Sequence, residues 1–215
     1  MTRLIIFDFD GTLGDTRENI VKTMQETLRR SGMRVPSEAE IGATIGRPLE
    51  EGFFMLEPGI KPEKAAECAA LYRIVFEEWR ERLVPQAFPG VKDALEKLHG
   101  AGYMLSVASS RKRPSLVGFI KNMGLEPYID YVLGVDDAPR AKPNPDPVLK
   151  TLSELKVDAG EAIVVGDMDV DILMGAAAGV KTCGVTWGNG TREALTAAGA
   201  DYIIDSMAEL RPILQ

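Results

Sequence analysis

Cysteine is scarce in this chain: Cys68 and Cys183 stand far apart, each inside an apolar segment. That excludes a disulfide framework and a cysteine-based zinc site, and both residues are expected to be buried free thiols in a reducing compartment. Histidine is scarcer still. His99, the only one, lies in Leu98-His99-Gly100 at an expected helix end, where it favours the helix dipole rather than chemistry. No apolar run approaches the ~20 residues needed to span a bilayer. The first core strand is expected to start so near the amino terminus that no secretion signal fits before it. Positive charge is also in deficit, because 25 Lys and Arg against 32 Asp and Glu leave a net charge of -7. Nucleic acid and anionic membrane are therefore disfavoured as partners, while a small anion remains open to a local basic pocket. Internal repeats and low-complexity tracts are lacking too, and the expected location is the cytoplasm.

What is present suits one substantial core with an appended lobe: 215 residues, 45% apolar and 27% charged. Leu4 to Phe7 is apolar without alternation, as expected of a strand covered on both faces. Further strands are expected over 103–108, 131–135, 162–165, 181–185 and 202–204. Helices are expected near 113–124, 145–155, 169–179, 191–198 and 206–213. This alternation implies a doubly wound, Rossmann-like α/β core with a parallel sheet. Residues 14–84 break the rhythm. Ile20, Val21, Met24 and Leu28 mark one amphipathic helix, and Ala65, Cys68, Ala69, Tyr72, Val75, Phe76, Trp79 and Leu83 mark another within 63–83. Ser37 with Glu40 fits a capping box. The expected organisation is a core of residues 1–13 and 85–215, with a small α-helical bundle, 14–84, inserted as a lid over the strand ends.

Carboxylates gather where the apolar strands stop. Asp8-Phe9-Asp10-Gly11-Thr12 follows the first strand, and Gly166-Asp167-Met168-Asp169-Val170-Asp171 follows a later one. In one parallel sheet these acids converge at the carboxyl edge, where such sheets bind ligands. Like charges crowded there oppose ionisation, a divalent cation relieves them, and oxygen-only ligands favour Mg²⁺. Asp171 has two readings, orienting that shell or favouring a helix amino terminus. Lys142, between prolines in Ala141-Lys142-Pro143-Asn144-Pro145, is either a rigidly held site cation or a solvated surface charge. Ser109 and Ser110 end another strand, as a turn or as hydroxyls and amides for a phosphoryl group.

These motifs, in this order, resemble the haloacid dehalogenase-like hydrolases, in particular phosphatases with a helical cap inserted after the first motif. The resemblance implies Asp8 as nucleophile through an aspartyl-phosphate and Asp10 as general acid, then base. It implies Mg²⁺ held by the Asp8 side chain, the Asp10 carbonyl and Asp167, with Asp171 in an outer position. Gly11, Thr12, Ser109, Ser110 and Lys142 would meet the transferred phosphoryl. Met168 and Ser110 depart from the family's usual small hydroxyl residue and asparagine. Thr44-Ile45-Gly46-Arg47-Pro48-Leu49 looks like the substrate loop of phosphoglycolate phosphatase-like members, so Arg47 is either a substrate contact or a solvated arginine.

The expected substrate is accordingly a small phosphorylated metabolite of the phosphoglycolate kind. A mutase resembling the β-phosphoglucomutases and a pyrophosphatase are the alternatives, and a phospho-receiver domain is a distant one. Haloacid dehalogenation is disfavoured, since a halide leaves without needing a proton from Asp10. Gly188-Asn189-Gly190 lacks the third glycine of a dinucleotide fingerprint and reads as a turn. Trp187 either lines the crevice or packs.

Overall fold

The computed structural model describes residues 2–79 and 81–214. Strand β1 (Leu4–Phe7) leads through β2 (Gly14–Asp15) into four helices: α1 (Arg17–Arg30), α2 (Glu38–Gly42), α3 (Leu49–Leu56) and α4 (Pro62–Trp79). The chain returns through β3 (Gln86–Ala87) and then alternates: α5 (Val91–Gly100), β4 (Met104–Ala108), α6 (Arg113–Asn122), β5 (Tyr131–Leu133), α7 (Asp146–Leu155), β6 (Ala162–Gly166), α8 (Asp169–Ala177), β7 (Lys181–Val185), α9 (Arg192–Ala197) and β8 (Tyr202–Ile204). Six strands form one parallel sheet in the order β5-β4-β1-β6-β7-β8. The winding therefore changes direction at β1, and the crevice beyond its carboxyl end is where a ligand site is expected.

Both faces of β1 are covered. Leu4 and Ile6 pack with Val148 and Leu152 of α7 and Met174 of α8. Ile5 and Phe7 pack oppositely, with Leu95 and Leu98 of α5 and Leu116 and Ile120 of α6. Each such buried side chain contributes roughly 1.5–3 kcal/mol, so the strand end carrying the acids is held rigidly. The four inserted helices share a separate core, in which Val21, Met24 and Leu28 meet Phe53, Leu56, Cys68, Ala69 and Tyr72. Phe76 of α4 packs against both cores. Ser37 and Glu40 cap α2 reciprocally, the Ser37 amide donating to Glu40 at 2.8 Å.

Differences from the expected elements have local causes. The helix expected over 63–83 is described over Pro62–Trp79, and Pro85 keeps Val84 out of any helical continuation. The segment expected as a helix over 206–213 is two short 3₁₀ turns, with Pro212 at the start of the second. The two segments that join the inserted helices to the core pair antiparallel as β2 and β3, Gly14 with Ala87 and Asp15 with Gln86.

Candidate active site

Three carboxylates meet at the carboxyl ends of β1 and β6. Asp8, Asp167 and Asp171 each offer an oxygen within 4.8 Å of the others, and all three are buried. Lys142 reaches into the cluster from the loop before α7. Its ammonium donates to Asp8 Oδ1 at 2.5 Å and to Asp171 Oδ1 at 2.6 Å, with its side chain 2% exposed. The stiff proline-bounded loop is thus the support of a buried cation. Asp171 is anchored further by the Met168 amide, 3.1 Å from its Oδ2. Asp171, expected in an outer position, stands in the first turn of α8 with its Oδ1 on Lys142 and an oxygen within 4.8 Å of those of Asp8 and Asp167.

Asp10 is directed elsewhere. Its Oδ1 accepts from Thr16 at 2.6 Å and from Arg111 Nε at 2.8 Å. Arg111 lies 4.6 Å over the Phe119 ring; burial opposes its charge, but Asp10, Tyr72 and Asp8 together outweigh that cost and hold it more firmly protonated. Neither Thr16 nor Arg111 was singled out from sequence. The only signal for Arg111 was its place after Ser109-Ser110 at a strand end.

The remaining candidates divide into those on the cluster and those at the rim. Thr12 donates to Asp167 Oδ1 at 3.2 Å. Gly11 has φ +96°, and a Cβ there would stand 2.2 Å from Asp167 Oδ2, so only glycine permits this turn beside the acid. Ser109 is buried and its hydroxyl accepts from the Arg111 amide at 3.1 Å. The Ser110 hydroxyl donates to the Gly46 carbonyl at 2.6 Å, closing the 44–48 loop against the sheet domain. Arg47 is part-buried and pairs with Asp169 at 3.1 Å and Glu51 at 3.4 Å. Trp187 donates its ring N–H to the Thr12 carbonyl at 3.1 Å. Between the helices and the sheet lies a cavity of about 1170 Å³ whose walls include Asp10, Arg47, Tyr72, Phe76, Arg111 and Phe119.

The donor set fits a magnesium ion. Asp8 Oδ2 is buried with no hydrogen-bond partner, and three carboxylates against one ammonium leave two negative charges uncompensated, which a divalent cation balances. Hard oxygen ligands suit that ion. Burial, and secondarily Asp171, push Asp167 up to about 7. Burial likewise raises Asp8, although Lys142 opposes it. Lys142 is raised, since Asp171 and Asp8 outweigh its desolvation.

A pH dependence follows. Asp167 binds its proton more tightly folded than unfolded, so its stabilising contribution is complete below the unfolded value near 4 and disappears as pH rises through about 7. Metal-free protein is expected to lose thermal stability between about pH 4 and pH 7, and Mg²⁺ to restore it chiefly at the upper end. Thermal midpoints with Mg²⁺ and with chelator test this; a midpoint that climbs with pH in chelator contradicts it.

A doubly wound sheet that brings carboxylates and a buried lysine to one strand edge, beneath a helical insertion, defines a phosphatase-type hydrolase working through an aspartate nucleophile. The chain belongs to the haloacid dehalogenase-like hydrolase family, whose model matches residues 5–185. It is 40% identical to the probable phosphatase IndB of Dickeya dadantii, over 98% of this chain and 92% of that one. It is 35% identical to the pyrophosphatase PpaX of Bacillus velezensis, over 96% and 93%. Among solved structures, a haloacid dehalogenase-like family hydrolase of Streptococcus pneumoniae superposes with a TM-score of 0.88 at 26% identity, covering 100% of this chain and 99% of that one. No helix among the described residues is long and apolar enough to cross a membrane.

Proposed function

We propose that this protein is a Mg²⁺-dependent phosphohydrolase in which Asp8 is the nucleophile, and that its substrate is a small phosphorylated metabolite. The observation that carries this is the buried Asp8 carboxylate, one oxygen on Lys142 and the other without a partner. An Asp8 oxygen attacks phosphorus as the bond to the leaving oxygen breaks, giving an aspartyl-phosphate. Asp10, released from Arg111, supplies the proton to the leaving oxygen. It then takes one from the water that hydrolyses the intermediate and regenerates Asp8. Asp8, Asp167 and the Asp10 carbonyl would hold Mg²⁺, which would supply charge neutralisation for the phosphoryl oxygens. Lys142 favours the ionised form of Asp8 against the cost of its burial and, with Ser109, orients the phosphoryl group. Asp171 fixes Lys142.

Pyrophosphate fits the comparisons better than phosphoglycolate, since PpaX is the named activity among relatives of nearly full coverage. Arg111 and Arg47 on the cavity wall suit a second anionic group beyond the transferred phosphoryl in either substrate. A panel of pyrophosphate, phosphoglycolate and sugar phosphates, assayed with Mg²⁺ and with chelator, tests the reading. Pyrophosphate is expected to give the highest kcat/KM and inorganic phosphate to be the product. Isomerised sugar phosphate without phosphate release would make the enzyme a mutase.

A further inference from the structure

The turn read from sequence as Gly188-Asn189-Gly190 wraps Asp167. The Asn189 amide N–H donates to Asp167 Oδ2 at 2.6 Å, and its side-chain Nδ2 reaches the same oxygen at 3.2 Å. A Cβ on Gly188 would stand 2.3 Å from that oxygen, and one on Gly190 2.0 Å from the Asp167 carbonyl. The other end of the Asn189 side chain leaves the sheet domain altogether. Its Oδ1 accepts from Arg17 Nη1 at 2.9 Å, at the start of α1. Arg17 in turn donates to the Glu38 carbonyl at 3.4 Å and lies flat on Gly42, where a Cβ would come within 2.5 Å of Nη1. An unbroken path therefore runs from the backbone of α2, through Arg17 and Asn189, to a carboxylate of the cluster.

The chemistry of each member is prescribed by its neighbours. Arg17 can only donate and ionised Asp167 can only accept. A side chain placed between them must offer an acceptor to one and a donor to the other, which an amide does. Arg17 thereby sets which way round the Asn189 amide sits, and that orientation turns Nδ2 onto Asp167 Oδ2, beside the backbone N–H that donates to the same oxygen. Thr12 holds Oδ1 from the opposite side. The carboxylate is thus fixed in rotation.

We propose that Asn189 and Arg17 are positioning residues for the metal site: they link the inserted helices to Asp167, so that Mg²⁺ binds more tightly when α1 and α2 are seated on the sheet domain. The proposal rests on the reading of Asp167 as a magnesium ligand. Linkage is reciprocal, so bound Mg²⁺ also favours the seated helices. Neither residue touches the transferred phosphoryl.

Calorimetric titration of the full chain with Mg²⁺, without substrate, tests the pair. Outer partners of metal ligands typically matter by 10–100-fold in affinity. Arg17→Ala and Asn189→Ala are each expected to weaken Mg²⁺ binding about tenfold, and the double variant to be no weaker than the poorer single one, since both cut one path. Arg17→Lys, which keeps a donor, is expected to stay near wild type. Simple electrostatics demands the opposite sign for Arg17→Ala, because deleting a nearby positive charge strengthens cation binding. Tighter or unchanged binding in Arg17→Ala, with thermal unfolding showing an intact fold, overturns the proposal, and so do losses that add in the double variant. A wild-type chain that binds no Mg²⁺ overturns the metal site itself.

Discussion

Asp8→Asn is expected to lower Mg²⁺-dependent phosphate release by at least about a thousandfold while leaving the fold intact, because the reaction loses the atom that attacks phosphorus. The amide is nearly isosteric and retains an acceptor for Lys142. It also removes a buried carboxylate whose proton affinity is raised by burial and then by the neighbouring acids Asp171, Asp167 and Asp10. Metal-free Asp8→Asn protein is therefore expected to unfold at the wild-type temperature or above it. Rapid-quench labelling with a ³²P substrate should show no acid-stable phosphoprotein in the variant. Retention of more than about a hundredth of the wild-type kcat would remove Asp8 from the nucleophile's role, given the size of loss that deleting a nucleophile brings.

Lys142→Met is the second large effect. Methionine keeps the length and most of the volume of the buried lysine, so packing changes little. Charge changes greatly, because Asp8 and Asp171 lose the ammonium they share at 2.5 and 2.6 Å. Leaving a buried charge unpaired costs about 3–5 kcal/mol, which for a domain of this size is roughly ten degrees in thermal midpoint. Protonation of the stranded carboxylates offsets part of that loss, so the deficit should be larger at pH 8 than at pH 5. Turnover is expected to fall at least about a hundredfold, as when one preorganised donor is removed from a transition state. Equal midpoints for variant and wild type at both pH values would show that Lys142 does not neutralise the cluster.

The parallel sheet and the acids at its edge were legible because apolar runs end abruptly at them. A strand buried on both faces has few places to hide Asp8 or Asp167 except its terminus. Lys142 was legible from its prolines, though only the fold decides between a site cation and a surface charge. Arg111, Arg17 and Asn189 escaped for a common reason: each acts across a long sequence separation, Arg17 on Asn189 and Arg111 on Asp10. Neither contact leaves a periodic or local trace. Strands β2 and β3 are each two residues long, too short for any alternation to register. The turning of Asp10 toward Thr16 and Arg111 was invisible because the pattern Asp-x-Asp fixes backbone position, not rotamer.

The pairing of β2 with β3 has a consequence for how such molecules diversify. Hydrogen-bonded strands lie about 5 Å apart, so the polypeptide departs from the sheet and rejoins it at adjacent points. Whatever is spliced between those points need only bring its own two ends close together. The register of the six large strands is indifferent to the cargo, apart from Thr16 and Arg17 at its start, which reach Asp10 and Asn189. A transplant of residues 18–85 from one such protein into another, which leaves Thr16 and Arg17 in place, is thus a route to new selectivity on unchanged chemistry, with the short ribbon serving as the graft junction.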